Sequence, residues 1–247
     1  QRGAPVIDLA RVPDAEWASV QARLSSARGL VVVGCGVEPG LTEILARHLA
    51  EQLDEVDEVH IKCGGVPEHP TGPLGYKIVF GGRSLPLKPA DGYAVENGKL
   101  ASVPRYSGVE PVAFDGLGEL EAWHEGFMPW LLDLKCMTKL KLGTQKTVRW
   151  PGYAAKATFL KEAGLLNAEP IEVDGVRVSP KRLLDTVLEP AVRMTEADRD
   201  ITLLRVDVVG RSGGQPRALR AEMIDRHDGV FTSMARTTAF TAAIVAR

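Results

Sequence analysis

Two short stretches carry residue types from which a small-molecule site can be built. The first is Gly34-Cys35-Gly36-Val37-Glu38-Pro39-Gly40, which follows an apolar run and precedes a helical one. At the carboxyl end of a parallel strand, such a turn aims the N–H groups of a helix N-terminus at anionic or polar ligand groups. Its glycines let a ligand approach the backbone closely. On spacing alone, an ordinary βα turn without a ligand is the default. The turn is not the GxGxxG dinucleotide fingerprint, which occurs nowhere in this chain. The second stretch is Thr147 to Tyr153, where Arg149 stands at a strand end before a helix. A guanidinium there can grip a carboxylate bidentately, or make an ordinary surface ion pair. Cys35 is the thiol best placed for function, because a helix start lowers a thiol pKa; a small buried filler is the simpler alternative. His48, His60, His69, His124 and His227 stand alone, and a lone histidine is more often structural than catalytic. Cys35, Cys63 and Cys136 form no CxxC, so no zinc pattern or other metal site arises.

Composition sets the frame for these residues. The chain has 247 residues, 45% hydrophobic and 25% charged, with a net charge of −2, which suits one large domain or two modest ones. No basic field is present to attract nucleic acid. The apolar runs are too short to cross a bilayer, and no signal-peptide pattern opens the chain. The cysteine usage points to a reducing, cytoplasmic setting. The first residue is Gln rather than Met, which suggests processing or truncation.

Periodicity supplies the elements. Val6 to Leu9 reads as a buried strand, Asp14 to Ser25 as a helix, and Gly29 to Gly34 as a strand buried on both faces. Leu41 to Leu53 follows as an amphipathic helix. This alternation is that of a parallel α/β unit. From Val56 the texture changes. Val59 to Lys62 alternates as a half-buried strand, Tyr76 to Phe80 is another strand candidate, and Glu96-Asn97-Gly98-Lys99 is a hairpin turn. Lys139 to Trp150 reads as two short strands, and a helix runs from Pro151 or Gly152 to a cap at Gly164. Glu172 to Val178 is a strand pair about Asp174-Gly175, and Ser179-Pro180 starts a helix. Ile201 to Val209 and Arg217 to Asp225 form a long hairpin across Gly213-Gly214, and Thr238 to Val245 is helical. Hairpins interleaved with helices argue for an α+β second part.

Several motifs in series resemble one family. Gly34 to Leu41 is similar to a GCGxxPGL turn, Cys63 to Pro67 to CGGLP, and Pro73 to Lys77 to NPLGYK. Ser107 to Glu110 and Gly118 to Ala122 resemble SGLE and GxGxLEA, Thr147 to Gly152 KTLRYPG, and Met234 to Thr238 the MARTT stretch before a final helix. The chain thus resembles the saccharopine dehydrogenase family, closest to lysine 6-dehydrogenases and saccharopine reductases, from about Asp8 to Arg247.

That resemblance implies a fold of the α/β plus α+β class. A partial Rossmann domain with a parallel sheet would span residues 1–55, and a large inserted substrate-binding and dimerisation domain with a mixed sheet 56–228. A return helix would span 229–247. It implies NAD or NADP as cofactor, with the GxGxxG turn upstream of these residues, so that the chain alone binds a dinucleotide poorly. The implied reaction is oxidation of an amine carbon of lysine or saccharopine to an imine or semialdehyde. The alternative is a non-catalytic ligand-binding or assembly domain of a degenerate member. Carried over by position, Arg149, Tyr76, Lys77, Tyr153 and Gly40 hold the amino-acid substrate, Arg149 by its carboxylate. Asp8, Cys35, Gly36, Pro39, Thr237 and Thr238 lie toward the cofactor, and His60, Lys77 and Tyr76 are candidates for the general base. Partners beyond the amino acid are limited to further copies of the chain, in a homodimer or a higher homo-oligomer, for which the Ile201 to Asp225 hairpin is the candidate surface. The chain departs from the family at Trp150, which replaces Tyr, at Tyr153, where lysine 6-dehydrogenases often have His, and in the loop from Gly81 to Lys88. That loop lacks the usual Trp-Ser-Pro and puts lysine as substrate in question.

Overall fold

Two apolar runs near the start of the chain pair as the parallel strands β1 (Val6–Ile7) and β2 (Val31–Val32), joined through helix α1 (Asp14–Leu24). The computed structural model describes residues 3–10, 12, 14–80, 82 and 84–247, with backbone alone at 14 and 15. Gln1 and Arg2 of the opening, and Gly81 and Arg83 of the loop before Lys88, lie outside the described residues. After β2 the glycine turn leads into α2 (Leu41–Ala50).

An eight-stranded mixed sheet dominates the rest. Its strands are β3 (Glu55–Pro67), β4 (Gly92–Glu96), β5 (Lys99–Val103), β6 (Glu110–Ala113), β7 (Glu119–His124), β8 (Leu142–Arg149), β11 (Asp200–Ser212) and β12 (Gln215–Arg226). The order runs β12-β11-β3-β8-β4-β5, with β7 also on β8 and β6 on β7. β3 and β8 are parallel, and the other pairs in this sheet are antiparallel. Side chains alternate across a strand, so β3 sends Val59, Ile61 and Cys63 into a core shared with Ala46, Leu49 and Ala50 of α2. His60 and Lys62 emerge on the other face. A second core gathers Tyr76, Tyr106, Trp123 and Tyr153 with Ala154 and Ala157 of α3 (Tyr153–Glu162). The hairpin of β9 (Ile171–Val173) and β10 (Val176–Val178) leads to α4 (Pro180–Val192), and α5 (Ser233–Val245) ends the chain.

Two-residue turns behave as their sequences predict. Asn97-Gly98, Asp174-Gly175 and Gly213-Gly214 all have positive φ, the backbone that suits tight hairpins between twisted strands. Four expectations are corrected. The first two strands are not buried: Val6, Leu9 and Leu30 are exposed, and Val31 and Val32 are half-buried. Tyr76 to Phe80 is not a strand: Tyr76 and Ile78 enter the second core, and the segment makes only a single bridge, Ile78 to Arg193. Residues 139–150 hold one strand rather than two, since β8 is a continuous inner strand flanked by β3, β4 and β7. The final helix starts at Ser233, so Met234 to Thr238 lies inside it. Asp200 accepts from the N–H groups of Ser233 and Met234 at 2.7 and 2.9 Å, and Thr232 caps Ala235. These partners satisfy the first turn that propensity alone leaves open.

Candidate functional site

The cleft-facing side of β8 organises the site. Gln145, Thr147 and Arg149 alternate with Lys146 and Val148, so the three share one face of the strand. They line a cavity of about 160 Å3 with Glu38, Pro39, Lys88, Trp123 and Glu125. The glycine turn and Arg149 therefore meet in one cleft.

Arg149 is 8% exposed and enters none of the ion pairs among the described residues. Its Nη1 donates to the Val148 carbonyl at 2.8 Å. Its guanidinium lies 4.7 Å from the Tyr76 ring centre and 5.7 Å from that of Tyr153. Tyr76 meets Tyr153 edge-on at 5.5 Å, and Trp123 stacks on Tyr153 at 6.0 Å. Cation–π contact offsets part of the cost of burying the charge. The hydrogen bonding is incomplete: Arg149 Nε, Trp123 Nε1, Tyr76 Oη and Tyr153 Oη are buried with no partner among the described residues. All four groups can donate, and buried donors are normally satisfied. A set of unpaired donors around a buried cation is the complement of a carboxylate.

The turn supplies a second charge. Gly40 has φ 139°, and a Cβ there would lie 2.2 Å from the Gly36 carbonyl oxygen, so only glycine closes this turn. Its N–H donates to Glu43 Oε2 at 2.6 Å, which fixes the start of α2. Glu43 also accepts from Thr42 Oγ1 at 2.7 Å and from Gln145 Nε2 at 2.9 Å. The same Gln145 nitrogen donates to Glu38 Oε1 at 2.7 Å, and Gln145 Oε1 accepts from Met128 N at 3.2 Å. Glu38 thus hangs in the cleft close to a second carboxylate. Burial first, and then the Glu43 charge, push its carboxyl up to about 8. A carboxyl poised there can exchange protons near neutral pH.

This has a consequence for stability. Folded Glu38 keeps its proton up to about pH 8, whereas the ordinary value is 4.5. Between those values the folded state binds the extra proton, so stability falls as pH rises. The contribution is complete below the lower value and lost above the upper one. The expected loss is on the order of 3–5 kcal/mol at most. Urea midpoints measured at pH 5 and pH 9 should drop for the native chain and stay level for Glu38→Gln; equal slopes for the two would contradict the shift.

The residues singled out in the sequence divide into those that meet at the cleft and those that do not. Pro39 and Arg149 line it, and Tyr76 and Tyr153 pack against the guanidinium. Gly36, Gly40 and Cys35 form the turn behind Pro39, where Cys35 N donates to the Asp8 carbonyl at 2.8 Å. Thr238 approaches Gly36, its methyl 3.4 Å from where a Cβ would stand. Asp8 is exposed and turns its side chain onto Ala10 N at 2.9 Å. Thr237 lines a separate apolar groove with Leu41, Ile44 and Phe240. Lys77 is tied to the Arg193 carbonyl at 3.0 Å and to Asp198 at 3.6 Å, away from the cleft lining. His60 projects from the opposite face of β3, where it meets Thr144 Oγ1 at 2.8 Å and Glu58 Oε2 at 3.0 Å. The expectation of a lowered Cys35 pKa is corrected: the thiol is buried, and burial raises it. Burial, with Glu38 and Glu43, raises Cys63 still further.

Glu38, Gln145, Thr147, Glu125, Lys88 and Trp123 are the site residues that sequence reading missed. Alternation along Gln145, Thr147 and Arg149 was the available signal for β8, and the acid inside the glycine turn was the signal for Glu38. Among the described residues no group of His, Cys, Asp and Glu is arranged to hold a metal ion, and no helix is long and apolar enough to cross a membrane.

The family model of the saccharopine dehydrogenase C-terminal domain matches residues 36–247. Among solved structures, the chain is similar to apo histidine-tagged saccharopine dehydrogenase (L-Glu forming) from Saccharomyces cerevisiae. The TM-score is 0.76 at 17% identity, covering 98% of this chain and 70% of that one. At that identity the likeness establishes the shared fold: a small parallel sheet beside a large mixed one.

Proposed function

This chain belongs to the saccharopine dehydrogenase family, and from that premise we propose that its cleft presents an amine carbon of an amino acid for oxidation, with NAD or NADP as hydride acceptor. Lysine and saccharopine are the substrates proposed. The observation that carries the reading is Arg149, buried and without an ion pair among the described residues, in one cleft with Glu38 and Pro39.

The residues present fit one end of the cofactor. Pro39 forms a wall of the cleft, so the turn can face a nicotinamide beside the substrate. The glycines of that turn are filled by the chain's own backbone: a Cβ on Gly36 would meet the Leu9 carbonyl at 2.7 Å, and one on Gly40 the Gly36 carbonyl. They cradle no phosphate, and no GxGxxG occurs in these 247 residues. Hydride acceptance is the chemistry a bound nicotinamide supplies. Every other task falls to the side chains described. Arg149 and the donors about it bind the carboxylate and fix the substrate's direction along β8. The amine must be neutral before its carbon can release hydride. Glu38, once deprotonated, accepts that proton at Oε2 or Oε1, while Gln145 holds the carboxylate in place. The buried rings of Trp123, Tyr76 and Tyr153 keep water from the carboxylate end.

The test is to follow NAD(P)H absorbance on the native polypeptide carrying this sequence, with lysine, saccharopine and other diamino acids. Absence of turnover with every amine would overturn the reading.

A further inference from the structure

The cleft holds one more charge than a carboxylate and a base require. Glu125, at the end of β7, puts Oε1 against Lys88 Nζ at 3.2 Å and against Arg105 Nη1. Among the described residues its Oε2 accepts from Thr147 Oγ1 alone, at a long 3.4 Å, and so keeps lone pairs for a ligand in the cleft. Burial opposes its charge, but Lys88 and Arg105 outweigh burial and hold the carboxyl below its ordinary range. Near neutral pH, Glu125 is therefore an anion while Glu38 is largely protonated.

The order along β8 is informative. Arg149, Thr147 and Gln145 stand two residues apart on one face, roughly 7 Å per step. They position, in turn, a guanidinium, the Glu125 carboxylate and the Glu38 carboxyl. Cation, anion and base in that sequence match a molecule bearing carboxylate, ammonium and a second amine in the same sequence. Arg149 and Trp123 both line the cleft, and each carries a buried N–H with no partner among the described residues.

We propose that Glu125 is a specificity-determining residue whose Oε2 receives the α-ammonium of the substrate, so that the cleft takes α-amino acids carrying a second amine on the side chain. This rests on the carboxylate and base assignments made above. Lys88 and Arg105 position Glu125 and are not themselves the seat, since Arg105 is also bound to the Ala90 carbonyl at 2.7 Å.

The experiment is calorimetric or NMR titration of the chain with two probes, L-lysine and 6-aminohexanoate, which lacks the α-ammonium. The native chain should prefer L-lysine by about tenfold or more. Glu125→Gln should remove that preference, so that the two probes bind alike, whereas Glu125→Asp should restore part of it. A preference that survives in a folded Glu125→Gln overturns the proposal and leaves Glu125 as a tether for Lys88 and Arg105. Equal binding of both probes by the native chain overturns it without any variant, and leaves the carboxylate seat standing. Binding of neither probe overturns both.

Discussion

Arg149→Met should weaken binding of a carboxylated amine by roughly 100-fold or more while leaving the fold as stable as before, or more so. Two charge-assisted hydrogen bonds to a carboxylate in a water-poor cleft are worth about 3 kcal/mol together, and each factor of ten is about 1.4 kcal/mol. Stability moves differently because Arg149 is buried, stacked on Tyr76 and Tyr153, and among the described residues donates to a backbone carbonyl alone. A buried charge without an ion partner costs folding free energy, and an apolar side chain of similar volume removes that cost. Methionine is flexible enough to fill the space between the two rings. Isothermal titration with L-lysine and urea unfolding of the same preparations measure both halves. Loss of binding together with a large loss of stability would mean that Arg149 is structural. Retained binding would mean that the carboxylate seat lies elsewhere.

The second large effect concerns Glu38→Gln. The amide keeps the size of the side chain and a hydrogen-bonding link to Gln145 but cannot take a proton. Turnover should fall by about 10²–10⁴-fold, the range for losing a positioned general base, with little change in the Michaelis constant. The pH profile gives a sharper sign. Glu38 acts as a base only when deprotonated, so amine oxidation by the native protein should rise with pH through about 8. The reverse reaction, which needs the protonated carboxyl, should fall over the same interval. Both limbs should vanish in the variant. A profile that keeps its limb near pH 8 in Glu38→Gln assigns the proton transfer to another group.

Much of the architecture was legible from local chemistry. Asn97-Gly98 and Gly213-Gly214 specify their hairpins because positive φ at both turn residues suits few other pairs. The glycine turn before Leu41 was placed correctly because strand, turn and helix are each signalled in sequence. What failed depends on long-range contact. Tyr76 to Phe80 has strand-like alternation, but a strand also needs a neighbour along its length, and Ile78 finds Arg193 alone. The helix at Ser233 starts five residues early because Asp200, distant in sequence, caps it.

The site was half legible for the same reason. Arg149 could be singled out as a charge at a strand end, and the structure brings it to the turn. Glu38 could not, because its raised carboxyl depends first on burial and then on the Glu43 charge, and its partner Gln145 is 107 residues away along the chain. His60 was attractive as a histidine on a strand, yet strand parity puts it on the face opposite Gln145 and Arg149. Lys77 lies next to Tyr76 in sequence but turns toward Asp198.

The central claim is that the Arg149 guanidinium and the turn at Pro39–Gly40 contact one bound amino acid. The most direct measurement is the ¹⁵N-resolved NMR signal of the Arg149 Nε–H, followed with the Gly40 amide during titration with L-lysine and then with cadaverine, its decarboxylated analogue. L-lysine should shift both signals with a single binding curve, and cadaverine should leave the Nε–H signal where it was. Equal movement of that signal with cadaverine, or no movement with L-lysine, would contradict it.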